Sequence, residues 1–222
     1  MDGNGRWAKK RLFNRIKGHE KGINAVREVV TAGREYGLKA LTLYAFSTEN
    51  WNRPETEVKA LMSLLKNFLV NERNELNDKN IKLQAIGDID KLPEKVRKEL
   101  EITQDLTSQN DQMVLSLALS YGSRDEITSA VKKIADKALS GELNVSDIDE
   151  STISGELYTK DLPDPDIVIR TSGEIRLSNF LMWQAAYSEL FFTETLWPDF
   201  GKEEFHSILK DFQNRERRFG KV

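Results

Sequence analysis

The sequence contains no cysteine and has only two histidines among its 222 residues. Without cysteine the chain can form neither disulfide bonds nor thiolate metal sites, which fits a reducing compartment and predicts a cytoplasmic protein. It has no apolar run of about 18 residues and no signal-peptide pattern, so the sequence predicts neither a membrane span nor export. The phosphate-binding motif G-x-x-x-x-G-K-(S/T) is missing as well, which excludes a P-loop protein.

Composition and charge indicate one globular domain that does not bind nucleic acid. With 39% hydrophobic and 31% charged residues, the chain can bury a sizeable core, and we expect a single domain over residues 1–222. The net charge of −3 favours neither a nucleic acid nor a polybasic membrane contact overall. Basic residues are nevertheless concentrated in residues 1–21 and 215–221. These two ends are either solvated faces or surfaces that converge on an anionic ligand.

Strand-like and helix-like segments alternate along the chain. Apolar runs, most of them rich in β-branched or aromatic residues, predict strands at residues 40–46, 81–86, 114–119, 167–169 and 190–192. Helical periodicity predicts helices at residues 20–36, from Pro54 onward, and at 93–110, 124–140 and 202–218. This alternation predicts an α/β fold with a mainly parallel sheet flanked by helices, in which ligands bind at the carboxyl ends of the strands.

The chain opens on a polar, glycine-containing segment, Asp2 to Trp7. Glycines can adopt positive φ and turn backbone N–H groups toward an anion, and Arg6 can hold a phosphate with two N–H groups. Asp2 is an oxygen ligand of the kind that suits Mg²⁺. The alternative interpretation is a flexible polar terminus, because disorder concentrates at chain ends.

Polar clusters also follow three of the predicted strands. In residues 47–53 a helix-capping loop would explain one or two side chains, but not Glu49, Trp51 and Arg53 together. Residues 120–125 form a second cluster. Residues 170–179 are the richest, because Arg170 and Arg176 with nearby serines offer guanidinium, hydroxyl and backbone donors ahead of a predicted helix. Such a set suits a diphosphate group.

These segments resemble the cis-prenyltransferase family that contains undecaprenyl diphosphate synthase. The matching segments are DGNGRWAK from Asp2, GH at Gly18, LYAFSTENWNRP from Leu43, YG at Tyr121, IRTSGE from Ile169, RLSNFL from Arg176, YSEL from Tyr187, LWPDF from Leu196 and RRFG from Arg217. They run the length of the chain in the family's order. The D-D-x-x-D motif of trans-prenyltransferases does not occur in the sequence.

The resemblance implies an enzyme that adds isopentenyl diphosphate repeatedly to an allylic diphosphate such as farnesyl diphosphate, with Mg²⁺ as cofactor. It implies Asp2 and Asn50 as catalytic residues and Asp2 and Glu189 as metal ligands. A neutral carboxamide is a poor base, so we expect Asn50 to orient substrate while pyrophosphate or Asp2 accepts the proton. The implied substrate-binding residues are Gly3, Asn4, Gly5, Arg6, Trp7, Arg15, His19, Ser47, Thr48, Glu49, Trp51, Arg53, Arg170, Arg176, Leu177 and Ser178.

The resemblance further implies a product lipid, a partner and a location. The product would be a long cis-polyprenyl diphosphate, undecaprenyl diphosphate being favoured, and the broad apolar stripe after Pro54 is either the wall of its tunnel or ordinary core. The segment Arg218-Phe219-Gly220 resembles a motif that reaches the diphosphate of a second subunit, so a homodimer is implied. Membrane contact would be peripheral at most.

The sequence departs from the family pattern in three places. Ile175 stands where some members have histidine, and Ser120 and Ser123 replace the commoner asparagine and glycine around Tyr121-Gly122. In relatives an apolar strand precedes the segment that begins here at Met1. We therefore expect either a misassigned start or a truncated, impaired protein, and we favour the first.

Two other functions remain to be separated from a cis-prenyltransferase. A non-catalytic isoprenoid-binding subunit of the same fold typically lacks the amino-terminal phosphate loop and the metal carboxylate, which this chain has. A phosphate-ester hydrolase on a similar sheet would need a nucleophile or a dinuclear metal cluster, and the sequence shows neither.

Overall fold

Two parallel sheets run through residues 1–215, the part of the chain that the computed structural model describes. The first sheet contains β1 (Ala40–Ser47), β2 (Ile81–Ile86) and β3 (Met113–Tyr121), with β3 in the middle. The second contains β4 (Ile167–Arg170) and β5 (Glu189–Phe192). The prediction of a parallel α/β fold is confirmed, and each predicted strand forms within a few residues of its expected bounds.

Seven α-helices connect and cover these strands in the described residues. They are α1 (Asn4–Lys10), α2 (Arg15–Tyr36), α3 (Glu55–Asp78), α4 (Glu94–Leu106), α5 (Ser123–Leu139), α6 (Glu150–Glu156) and α7 (Lys202–Gln213). The side chain of Asn14 caps the start of α2 by accepting a hydrogen bond from the Lys17 N–H, and Gly37, with φ 84°, ends the helix in the left-handed region. Pro54 precedes α3, which its fixed φ favours.

Several details differ from the sequence prediction. Asn4–Lys10 is a helix rather than a flexible terminus, and α2 begins five residues earlier than the apolar periodicity indicated. Helix α4 ends at Leu106, before the predicted 110, because it finishes in a hydrogen-bonded turn at Thr107. The helix predicted after residues 170–179 was wrong, since turns occupy residues 180–187. The predicted end of α7 and the segment Arg218-Phe219-Gly220 lie outside the described residues.

One large core joins the first sheet to the helices around it. Leu69 of α3, Leu115 and Leu119 of β3 are fully buried in it, and Ala32 of α2 is buried against the same cluster. Helix α3 contacts β2 and also packs against α2 and α4. A smaller cluster lies where Tyr121 and Ala118 meet Leu181 in the loop before β5. No helix within residues 1–215 is long and apolar enough to cross a membrane.

Candidate active site

A cavity of about 790 Å³ opens at the carboxyl end of β1 and extends between α2 and α3. Its mouth is polar and is lined by Asp2, Asn4, Arg6, Arg15, His19, Asn50 and Arg53. Its interior is apolar and is lined by Ile23, Val26, Leu43, Leu61, Met62, Leu65, Phe68 and Leu117. A pocket with convergent cationic groups at one end and an apolar interior suits an amphipathic anion. The stripe after Pro54 therefore contributes both to the core and to the cavity wall.

A bulge in β1 shapes the cavity at the strand's end. Residues Tyr44 and Phe46 pair with consecutive residues of β3, so Ala45 is the extra residue between them. Tyr44, Ala45 and Phe46 all line the cavity in consequence. The Tyr44 hydroxyl donates to the carbonyl oxygen of Tyr121 at 3.0 Å, which fixes the bulged strand to its neighbour.

Asp2 is held in place by both its backbone and its side chain. Its backbone N–H donates to Thr171 Oγ1 at 3.1 Å, and its carbonyl oxygen accepts from the Thr171 hydroxyl at 2.8 Å and from the Trp197 N–H at 3.0 Å. One carboxylate oxygen accepts the Gly3 N–H at 2.7 Å. The sequence alone gave no sign that Thr171, a neighbour of Arg170, would carry this contact.

The other carboxylate oxygen of Asp2 faces two arginines. Arg170 Nη2 lies 3.0 Å from Asp2 Oδ2, and Arg6 Nη2 lies 3.4 Å from it. Burial raises the pKa of Asp2, but the hydrogen bonds from Arg170 and Gly3 and the two guanidinium charges outweigh this, and the pKa lies below its ordinary value. Asp2 is therefore ionised at neutral pH.

Gly3 is required where it stands. Its φ of 103° lies in the region that favours glycine, and an added Cβ would come within 3.0 Å of the Leu196 side chain. This turn places Asp2 beside the β4 end while starting α1, so that Arg6 reaches the same side. The Arg6 guanidinium donates to the Ser172 carbonyl oxygen at 2.9 Å and to its hydroxyl.

Arg170 and Arg176 are brought together by the loop that follows β4. Arg170 Nη1 donates to Ser178 Oγ at 2.6 Å and also to the Arg176 carbonyl oxygen. Glu174 pairs with Arg6, at 3.2 Å, and with Arg176. Ser172, Ser178 and Asn179 all have positive φ in this loop, a backbone conformation that is uncommon outside glycine and costs energy. The loop thus gathers three arginines, and the carboxylates that pair with them are those of Asp2 and Glu174.

Some residues of the predicted loop after β1 line the cavity, and the others do not. Residues Thr48–Asn52 form a short 3₁₀ helix, and Asn50 Oδ1 accepts the Ser47 N–H at 3.2 Å. Asn50 and Arg53 line the cavity, whereas Ser47, Thr48, Glu49 and Trp51 do not. The helix-capping interpretation and the site interpretation both apply, because Asn50 caps the 3₁₀ helix and also lines the cavity.

Trp51 and Ser120 explain one departure from the family pattern. Trp51 Nε1 donates to Ser120 Oγ at 3.0 Å, and its ring packs edge-on against Phe46 with 4.8 Å between the ring centres. Ser120 adopts a φ of 48° at the end of β3. Ser123 accepts the Met182 N–H at 3.0 Å. The two serines therefore hold neighbouring segments by hydrogen bonds. The third departure, Ile175, has a side chain that is 79% exposed and lines no part of the cavity.

Glu49 is connected to the loop of residues 170–179 through Asn179, a residue that the sequence prediction missed. The Asn179 amide donates to Glu49 Oε1 at 3.0 Å, and its side-chain oxygen accepts the Arg124 N–H at 2.8 Å. Its carbonyl oxygen accepts the Ser123 N–H at 2.8 Å, so one residue caps the start of α5 from a distant loop. No local spacing signal could have found these contacts, because they join the loop of Asn179 to two other segments, the one after β1 and the start of α5.

Arg15, Arg53 and His19 surround Glu57 at the cavity mouth. Glu57 Oε1 lies 2.9 Å from Arg53 Nη1 and 3.5 Å from Arg15 Nε. Burial, and secondly the charge of Arg53, lower the pKa of His19 to about 4, and Glu57 only partly opposes this. His19 is therefore neutral at neutral pH, and its buried Nε2 has no hydrogen-bond partner in the described residues. Glu57 is a missed residue that the four-residue spacing from Arg53 could have indicated.

Two predicted site residues lie elsewhere. Trp7 is buried and donates from Nε1 to Asp199 at 2.6 Å, so it anchors α1 rather than lining the cavity. Glu189 begins β5 and pairs with Ile167, whereas Asp2 contacts Arg170 at the other end of β4. Ile167 and Arg170 are three residue steps apart on β4, which is about 10 Å along the strand. Glu189 instead forms an ion pair with Arg215, so this chain does not by itself bring the two carboxylates together.

The candidate metal ligand is therefore a single carboxylate. Within residues 1–215, no group of three or more histidine, cysteine, aspartate or glutamate side chains could hold a metal ion. Mg²⁺ is commonly bound by one or two carboxylates together with substrate phosphates and water. Asp2, ionised and beside the loop that carries Arg170 and Arg176, fits that pattern, and Glu189 does not join it within one chain.

A second, small cavity of about 20 Å³ lies beyond the apolar interior. Val26 and Phe68 line both cavities and so form the wall between them. On its far side, Arg27 Nη2 lies 2.6 Å from Oε1 of the buried Glu72. Val26 and Phe68 therefore separate the large cavity from a small one whose lining includes the ion pair of Arg27 and Glu72.

Comparison with known proteins gives consistent matches over most or all of the chain. A family model described as "Putative undecaprenyl diphosphate synthase" matches residues 1–220. An isoprenyl transferase of Bacillus subtilis is 52% identical and one of Heliobacterium mobile is 51% identical, each over 100% of this chain and 85% of the relative. Among solved structures, lavandulyl diphosphate synthase from Lavandula x intermedia, in complex with dimethylallyl diphosphate, has a TM-score of 0.97 at 38% identity, covering 100% of this chain and 95% of that one. A probable undecaprenyl diphosphate synthase from Campylobacter jejuni has a TM-score of 0.80 at 37% identity, covering 91% and 93%.

Proposed function

Because the chain belongs to the undecaprenyl diphosphate synthase family of prenyltransferases, we propose that it condenses isopentenyl diphosphate with an allylic diphosphate such as farnesyl diphosphate. Repeated addition builds a cis-polyprenyl diphosphate, with undecaprenyl diphosphate, the precursor of the cell-wall carrier lipid, as the proposed product. The observation that carries this proposal is the cavity of about 790 Å³ with arginines at its mouth and an apolar interior. This arrangement suits a diphosphate headgroup joined to a hydrocarbon chain.

Two neighbouring cationic groups would hold two diphosphates. Arg6, Arg15 and the backbone of residues 3–5 line the cavity mouth and would bind the allylic diphosphate. The second group lies outside the cavity and consists of Arg170, Arg176 and Ser178. It is joined to the cavity lining by the hydrogen bond from Arg170 to Asp2, and it would bind the diphosphate of isopentenyl diphosphate. Binding would exchange the carboxylate partners of these arginines for phosphate oxygens, which guanidinium groups bind bidentately.

Mg²⁺, held by Asp2 and phosphate oxygens, would offset the negative charge that develops on the departing pyrophosphate. The isopentenyl double bond attacks the allylic carbon, the bond from that carbon to the diphosphate oxygen breaks, and the isopentenyl unit loses a proton. The depressed pKa of Asp2 makes it a weak base, which favours the departing pyrophosphate as proton acceptor. Asn50, whose carboxamide oxygen is engaged by Ser47, would orient the substrate.

The chain is also proposed to work as a homodimer in the cytoplasm, with at most peripheral membrane contact. Strand β5 is paired on one side only within the described residues, and Leu190 and Phe192 are 40% and 37% exposed on it. An edge strand carrying exposed apolar side chains is a site for pairing with another chain. Sedimentation velocity on the full chain tests this, and a monomer at micromolar concentration would contradict it.

Product analysis tests the proposed reaction. The protein is incubated with farnesyl diphosphate and labelled isopentenyl diphosphate, with and without Mg²⁺, and the products are separated by chain length. We expect Mg²⁺-dependent long products. Absence of elongation under all conditions would refute the proposal and favour a non-catalytic isoprenoid-binding subunit, and phosphate release without elongation would indicate a hydrolase.

A further inference from the structure

An apolar tip surrounded by basic side chains projects from the turn between α1 and α2. Leu12 is 96% exposed and Phe13 is 53% exposed, and they follow the exposed residues Lys9, Lys10 and Arg11. Hydrogen bonds from the Leu12 and Phe13 N–H groups to the carbonyl oxygens of Lys9 and Ala8 fix the turn. We refer to residues 9–13 as the tip.

The conformation of Leu12 is costly within the isolated chain. Its φ of 57° places a bulky, non-glycine residue in the left-handed region, where the Cβ crowds the following carbonyl oxygen. Its side chain gains nothing in return, because it is more exposed than any other large hydrophobic side chain in the described residues. A strained backbone that presents a leucine to solvent is typical of a contact surface rather than of a stabilising turn.

The charges around the tip are available to a partner. Arg11 pairs with Asp199 at 3.3 Å and Lys17 pairs with Glu20 at 2.8 Å. Within residues 1–215, Lys9 and Lys10 of the tip form no ion pair, and both are exposed. The whole chain has a net charge of −3, so these exposed lysines form a local region of positive charge beside Leu12.

The tip also lies at the mouth of the large cavity. Lys9, Leu12 and Phe13 are among its lining residues, next to Arg15. A long isoprenoid leaving this cavity would pass the tip, and its hydrocarbon chain is stable only in a bilayer. That the molecule leaving the cavity is a long isoprenoid rests on the proposed function.

We propose that the tip docks the protein on an anionic lipid surface, with Leu12 and Phe13 inserted among the acyl chains and the lysines against the headgroups. A bilayer accepts a small apolar wedge, and each basic residue near an anionic surface strengthens binding about fivefold. A protein partner of ordinary affinity would need an interface of roughly 1,200–2,000 Å² in total, far more than two side chains supply. Charge and size together therefore favour lipid.

Vesicle co-sedimentation without substrate tests this docking on the full chain. We expect binding to vesicles of phosphatidylcholine mixed with phosphatidylglycerol, weaker binding to phosphatidylcholine alone, and a loss of binding as salt rises. The double substitution Leu12→Ser with Phe13→Ser should lower the partition coefficient at least about tenfold, and Lys10→Gln should lower it about fivefold. The matched controls Leu139→Ser, at a side chain that is 87% exposed, and Lys98→Gln, at an exposed lysine, should leave it unchanged.

A glycine substitution separates docking from folding. Leu12→Gly relieves the left-handed strain, so it should raise the melting temperature while reducing vesicle binding. The proposal is overturned if wild-type protein ignores anionic vesicles, if the controls lose as much binding as the tip variants, or if the double substitution instead dissociates a dimer. Because no substrate is present, a protein that binds vesicles but makes no product would refute the proposed reaction and not the docking.

Discussion

Asp2 and Arg170, 168 positions apart in the sequence, form an ion pair with 3.0 Å between Oδ2 and Nη2. The pair joins the turn before α1 to the end of β4. Asp2 also faces Arg6, and Arg170 also donates to the Ser178 hydroxyl. The carboxylate that is proposed to bind Mg²⁺ thus also holds the arginine that is proposed to bind a diphosphate. Removing its charge should affect the two roles in opposite directions.

Asp2→Asn should lower kcat by about 100-fold or more while leaving the KM for both diphosphates unchanged or lower. The metal ligand is lost, which removes roughly 3 kcal/mol of transition-state stabilisation, but the arginines lose a competing carboxylate and bind anions at least as well. Steady-state kinetics over a range of Mg²⁺ concentrations measures both effects. Asp164→Asn, at an exposed aspartate outside the site, is the matched control. A rise in KM with unchanged kcat would contradict this assignment of Asp2.

Asn179 should position the loop of residues 170–179, which is proposed to bind a diphosphate, through its contacts with Glu49 and Arg124. Asn179→Gly keeps the positive φ of 61° and loses only the side chain, so it should cost about 1 kcal/mol of stability and lower kcat/KM about tenfold, mainly through KM. Asn179→Ala adds backbone strain and should cost about 1–2 kcal/mol more. Chemical denaturation and steady-state kinetics give the two readouts.

A charge substitution gives the control for Asn179. Asn179→Asp keeps an acceptor for the Arg124 N–H but places a carboxylate against Glu49, so it should be destabilising. Adding Glu49→Gln removes the repulsion and should restore the free energy of unfolding. If the double variant is no more stable than Asn179→Asp alone, the two side chains are not coupled as described.

The sequence predicted the sheet and most helices, because their apolar periodicities are local. That Asp2, Arg6, Arg170 and Ser178 belong to one site was implied by the resemblance to the cis-prenyltransferase family, because Asp2 and Arg6 follow no predicted strand. The sequence could not predict the partners of Asn179, because these contacts link three segments that are distant in sequence. Trp7 was placed in the site by its motif, yet its indole is used to hold Asp199. Helix α1 was missed because its short apolar face offers too little periodicity.

The buried neutral His19 should make stability depend on pH. Its pKa in the folded protein is about 4, below the ordinary value of 6.5, so between these pH values the unfolded chain binds a proton that the folded protein does not. Stability is therefore lost as the pH falls from 6.5 toward 4, by up to roughly 3 kcal/mol. Denaturant titrations at a series of pH values give the free energy of unfolding at each pH. Between pH 6.5 and 4 this free energy should change less with pH for His19→Asn than for wild type. An equal change would mean that His19 is not the group responsible.

Phe68 should limit the length of the hydrocarbon chain, because it separates the cavity of about 790 Å³ from the small cavity beyond it. Phe68→Ala joins the two and should shift the products to longer chains, which chromatography of dephosphorylated products would show. Removing a buried phenylalanine also costs about 3–5 kcal/mol, so a control must share that loss. Leu69→Ala serves, because Leu69 is its fully buried neighbour on α3, and it is not among the side chains lining either cavity. If Leu69→Ala lengthens the products equally, general loosening of the core rather than the Phe68 wall would set chain length.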